Sequence, residues 1–136
     1  MLRTTLLLGL LASPAFADCP KAVTDGVAKA FPKSKVDKCH PEHEDGKDIF
    51  EAKITRADGT KAEVDVAADG SILQVEEKIA VDALPDAVKK AFAARYPKAK
   101  APRAEKQTAG TTVTYEVAFA KTEATFAADG RFIEEE

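Results

Sequence analysis

The chain is poor in the side chains that carry out covalent chemistry. Of its 136 residues two are cysteine and two histidine, and beyond residue 17 the only serines are Ser34 and Ser71. A nucleophilic triad needs a nucleophile, a base and an orienting acid within hydrogen-bond reach. Here His40, His43 and both serines fall in predicted loops or at strand ends. No glycine-rich phosphate loop and no dinucleotide fingerprint is present. An enzyme is therefore not expected, and no cofactor is called for. Long apolar runs are missing too, the longest being Leu6 to Ala12, too short to span a bilayer. Nor is there an excess of positive charge: 20 basic residues face 23 acidic ones, net −3. Such a chain gains nothing from counterion release on nucleic acid and has no polybasic face for anionic lipid.

What the sequence does contain begins with an export signal. Arg3, the apolar run, Pro14 and then Ala15-Phe16-Ala17 make the three-part layout of a cleaved signal peptide over 1–17. The mature chain is expected to begin at Asp18, in the periplasm, with no membrane span. In an exported chain, two cysteines most simply form a disulfide, Cys19 to Cys39. A lipoprotein reading competes because Cys19 lies beside the cleavage site. It fits less well, since Asp18 stands where lipoprotein signals place a small residue and Cys39 would be left unpaired.

The mature chain is dominated by residues alternating in pairs. In Tyr115 to Gly130 apolar positions alternate with small or polar ones, and Phe50 to Gly70 does the same, as strands with one buried face must. Before each lies an amphipathic helix. Val23 and Val27 follow Pro20, Val88 and Phe92 follow Pro85, and Phe31-Pro32 and Tyr96-Pro97 close them. Pro85, Val88, Tyr96, Tyr115 and Glu116 match Pro20, Val23, Phe31, Phe50 and Glu51 at constant spacing. After a gap, Ala127-Ala128-Asp129-Gly130 matches Ala67-Ala68-Asp69-Gly70. The pattern predicts an α+β protein of two tandem repeats, 18–79 and 80–136, each one helix packed on about four antiparallel strands. The five missing residues predict a tighter turn near Ala120 to Thr122. A helix of about twelve residues advances roughly 18 Å, and five or six strand residues return as far. Cys39 is thereby expected beside Cys19.

Leu84-Pro85-x-x-Val88, Phe92, Tyr96-Pro97, Tyr115-Glu116-Val117 and Ala128-Asp129-Gly130 together resemble the PepSY-like, or β-lactamase-inhibitor-like, domain family of exported bacterial proteins. In the first half Cys19 and Phe50 stand where that pattern has Leu and Tyr. The resemblance implies a helix and antiparallel strands per repeat, comparable to the β-lactamase inhibitor protein (BLIP), whose sheet face binds an enzyme. It also implies a protein-binding or inhibitor-like role.

Two candidate sites follow. If Phe50, Ala52, Ile54, Tyr115, Val117 and Phe119 face the helices, then Glu51, Lys53, Thr55, Thr114, Glu116 and Ala118 face outward, joined by Glu63, Asp65, Glu123 and Thr125. Small residues between charges would let an envelope protein or peptide approach the strands closely. Glu51, Lys53, Thr114 and Glu116 are the expected contact residues, and a solvated face without a partner is the competing reading. The second candidate is the stretch His40 to Asp48, where His40, His43 and several carboxylates could hold zinc or copper. Its plainer reading is a solvated loop, and no metal is required.

Overall fold

The computed structural model describes residues 19–100 and 102–136. The expected signal peptide, 1–17, lies outside the described residues, as does Asp18. Helix α1 (Lys21–Ala30) starts after Pro20, buries Val23 and Val27 one turn apart, and ends with the Phe31 N–H on the Val27 carbonyl. Helix α2 (Asp86–Arg95) starts after Pro85 and buries Val88 and Phe92 in the same way. In both, proline has fixed φ and no donor at a position whose donor would be unpaired anyway.

The strands are β1 (Lys35–Glu44), β2 (Lys47–Thr55), β3 (Lys61–Ala67) and β4 (Ile72–Ile79), then β5 (Arg103–Ala109), β6 (Thr112–Phe119), β7 (Thr122–Ala127) and β8 (Phe132–Glu135). A single 3-10 turn, Val81–Ala83, links β4 to α2. All eight strands form one antiparallel sheet in the order β1 to β8, so every strand pairs with its neighbours in sequence.

This corrects the expectation of two tandem repeats, each one helix on about four strands. Strand β4 hydrogen-bonds to β5 from Val75↔Thr108 to Ile79↔Ala104. The two strand edges that separate units would leave unpaired satisfy each other, and the described residues form a single eight-stranded sheet with two helices on one face. A second correction concerns His40 to Glu44, expected as a solvated loop. Strand β1 runs through it, with His40 opposite Glu51 and His43 opposite Asp48. The loop is only Asp45-Gly46, at φ 48° and 75°, the two positive values of the hairpin turn that matches strand twist. The tighter turn expected near Ala120 to Thr122 is there, with Ala120-Lys121 joining β6 to β7.

The core lies between helices and sheet. Val23 and Val27 pack on Cys39, Ala52, Ile54, Ala62, Val64 and Val66, with Phe50 at the margin. Val88 and Phe92 pack on Leu84, Ala104, Val117, Ala124 and Phe126, with Tyr115 and Phe119 at the margin. Each fully buried Val, Ile or Phe stabilises by about 1.5–3 kcal/mol relative to exposure. Around Phe92 the rings of Tyr96, Phe119 and Phe126 stand with centroids 5.5, 5.6 and 6.4 Å away, the last two edge to face, a favoured arrangement. On α1, Gly26 meets the β3–β4 turn backbone to backbone. A Cβ on Gly26 would run into the Gly70 carbonyl, and one on Gly70 into the Ala22 carbonyl.

Candidate functional site

Because the helices cover one face of the sheet, strand alternation sends every second residue to the other. The register aligns them into rows across the strands. One row is Lys53, Glu63, Glu76, Gln107 and Thr114; the next is Lys78, Glu105, Glu116 and Thr125. All four expected contact residues, Glu51 and Lys53 on β2 and Thr114 and Glu116 on β6, lie on this open face.

The face contains two adjoining hollows. The first, about 460 Å³, is lined by Asp37, Lys38, Lys53, Lys61, Glu63, Glu76, Lys78 and Glu105, with Ile54 and Ala62 beneath. The second, about 470 Å³, is lined by Lys78 to Val81, Pro102 to Glu105, Glu116, Ala118 and Glu123. They meet at Lys78 and Glu105.

Negative charge is crowded along this surface. Burial, with Glu123, Glu105 and Glu76 nearby, pushes the Glu116 carboxyl up to about 7. Burial, then Glu76 and Glu51, pushes Asp65 up to about 6. Burial also raises Glu76, against a hydrogen bond donated by Gln74. Partial relief comes from Lys53 Nζ, which donates to Glu63 Oε1 at 3.0 Å and lies 3.7 Å from Glu51. Gln107 Nε2 donates to Glu116 at 3.1 Å, and the Thr114 hydroxyl donates to Gln107 at 3.2 Å. At the rim, Thr55 donates to Asp37 at 2.6 Å and, with Lys61 and Lys35, holds that carboxyl below its ordinary range. Chemically, lysines and carboxylates balance around the first hollow, while at the second Glu105, Glu116 and Glu123 face Lys78 and Arg103, and burial together with the neighbouring carboxylates holds Glu116 up.

The two histidines part company. On β1 they are three apart, so alternation puts them on opposite faces. His40 Nε2 lies 3.2 Å from Glu42 Oε1 and 3.7 Å from Glu51 Oε1 on the open face, and these three residues are close enough to share an ion. His43 Nδ1 instead pairs with Asp48 Oδ1 at 2.8 Å, with both side chains largely exposed. Cys19 and Cys39 are bonded, Cα to Cα 5.9 Å, with Cys39 in the core on the helix side.

Sequence reasoning missed the middle of the face. Glu76, Lys78, Glu105 and Gln107 belong to β4 and β5. Strand β5 has a single buried residue, Ala104, among residues that are half-buried or exposed. The signal available was weak: an alternation of Ala104, Lys106 and Thr108 against Glu105 and Gln107, with almost no contrast in hydrophobicity.

Among the described residues no helix is long and apolar enough to cross a membrane. No family model and no curated protein matches the chain, so the PepSY-like assignment has no match behind it. Solved structures do share the fold. A protein described as periplasmic, from Bacteroides eggerthii, superposes with a TM-score of 0.71 at 15% identity, over 87% of this chain and 88% of its own. A BLIP-like protein from Bacteroides fragilis gives 0.65 at 19% identity, over 86% and 84%. A DUF2874 family protein from Bacteroides uniformis gives 0.67 at 20%, over 86% and 88%. The expected BLIP-like architecture is therefore present as a fold.

Proposed function

We propose that the chain is a periplasmic, non-enzymatic module that binds a protein or peptide through the open face of its sheet, and that the bound segment is cationic. The observation that carries this reading is the second hollow, where Glu105, Glu116 and Glu123 outnumber Lys78 and Arg103 and the Glu116 carboxyl is pushed up to about 7. A face kept at an electrostatic disadvantage in the free protein gains most from a ligand that supplies the missing charge. The export signal read in the sequence and the neighbour described as periplasmic support the location. The BLIP-like neighbour supports an inhibitor-like use of such a fold.

Titrating the protein with a synthetic Lys/Arg-rich peptide tests the reading, with a Glu-rich peptide of equal length as the control. The cationic peptide is expected to bind, more weakly as salt rises, and more tightly as pH climbs past the raised carboxyls and they ionise. Glu105→Lys with Glu116→Lys should weaken binding by about tenfold or more, since each reversal replaces an attraction by a repulsion. Equal binding of both peptides, or binding indifferent to the reversals in a protein with an unchanged circular-dichroism spectrum, overturns it.

A further inference from the structure

We infer that His40, Glu42 and Glu51 form a site for a divalent cation of the zinc or copper class, independent of any partner on the hollows. The argument is geometric. Ligand atoms about 2.0–2.2 Å from a tetrahedral zinc stand roughly 3.3–3.6 Å from one another. The free protein already holds His40 Nε2 at 3.2 Å from Glu42 Oε1 and 3.7 Å from Glu51 Oε1, and the three ligand atoms lie within 4.8 Å of one another. Little rearrangement is needed for an ion to replace those contacts.

The sequence and fold make this arrangement in a specific way. His40 and Glu42 are two apart on β1 and so share a face, and the β1–β2 register sets Glu51 directly opposite His40. The ladder between two long strands fixes the spacing, as a loop would not. Glu51 is the sheltered ligand, its side chain 19% exposed against 45% for His40 and 43% for Glu42, so the fourth position opens to water. Across β3, Asp65 stands opposite Glu51 and adds a further carboxylate beside the site. Imidazole nitrogen favours zinc and copper over magnesium or calcium, which prefer all-oxygen shells. Lys53 Nζ, 3.7 Å from Glu51 Oε1, gives up that contact to the ion and keeps Glu63 at 3.0 Å.

The molecule carries its own control. In the β5–β6 hairpin Glu105 faces Glu116, as His40 faces Glu51, with Gln107 two residues on. There Gln107 donates a hydrogen bond to Glu116, so an amide occupies the carboxylate that an ion would need and no imidazole is present. His43, on the opposite face and paired with Asp48, contributes nothing to the His40 site.

Calorimetric titration of the protein with Zn²⁺ alone, and separately with Cu²⁺, is expected to give one equivalent bound in the micromolar range. On adding Zn²⁺ the ring resonances of His40 should shift and those of His43 should not. His40→Ala and Glu51→Gln should each weaken binding by about tenfold or more, while His43→Ala and Glu116→Gln leave it unchanged. Circular dichroism checks that each variant is folded, and His40→Gln replaces the alanine variant if that one is not. Undetectable binding, wild-type affinity in either the His40 or the Glu51 variant, or an equal loss in His43→Ala overturns the inference.

Discussion

Glu116 illustrates what a crowded carboxylate does to a small protein. Its folded-state value, about 7, lies above that of the unfolded chain, so the folded state holds the proton more tightly. The associated stability is present on the acid side and is lost as pH rises from the ordinary carboxylate range through about 7. Asp65, at about 6, acts in the same direction. Asp37, Asp58 and Asp69, all held low by hydrogen bonds, act oppositely, but only once pH falls below the usual aspartate range. The melting temperature is therefore expected to decline between about pH 5 and about pH 8. Glu116→Gln should flatten that decline and raise the melting temperature at the upper end by a few degrees, on the order of 1 kcal/mol after solvent screening. A melting temperature flat across this range in the unmodified protein would contradict the account.

At the scale of elements, the contact between α1 and the β3–β4 turn sets an intrinsic preference against a packing constraint. Gly26→Ala removes a helix-interior glycine, which taken alone gains about 1 kcal/mol. The added methyl would meet the Gly70 backbone, and overpacking against backbone costs about 1–3 kcal/mol or more. The packing term should win, lowering the midpoint of urea denaturation; a rise would mean that the helix shifts freely on the turn. Nothing near Gly26 in the sequence marks this contact, because the atom it must avoid lies forty-four residues away on another element. Elements with strong contrast were legible: Val23 and Val27, Phe50 to Ile54, and Tyr115 to Phe119 all declared their buried face. Strand β1 beyond Cys39 was read as loop because His, Pro, Glu and Asp dominate it. The Asp45-Gly46 turn signal that reverses the reading lies inside the same polar stretch. For the same reason the candidate metal ligands were grouped by closeness in sequence, His40 with His43, when strand alternation separates them and register brings in Glu51.

For the whole molecule, internal similarity between the halves suggested two units, while pairing of β4 with β5 makes one sheet. That pairing depends on a β5 whose residues have little contrast, which is why it was hidden. The disulfide ties the first described residue to strand β1 across a separation of 20 positions. Closing a loop of that size stabilises by roughly 3 kcal/mol in the chain-entropy account. Reduction, or Cys19→Ser with Cys39→Ser, is expected to lower the denaturation midpoint by a corresponding amount while the sheet persists at room temperature. A midpoint unmoved by reductant would show that the N-terminal tether adds nothing. Finally, a sheet in which each strand bonds only to the strands before and after it has a kinetic consequence. Within β1 to β4 and within β5 to β8 no strand has to wait for a remote stretch of polypeptide, so the loop-closure penalty that slows most β-rich proteins is small there and rises only at β4–β5, where α2 intervenes. Each group of four strands could thus zip into place hairpin by hairpin, without long exposure of half-built edges to its neighbours.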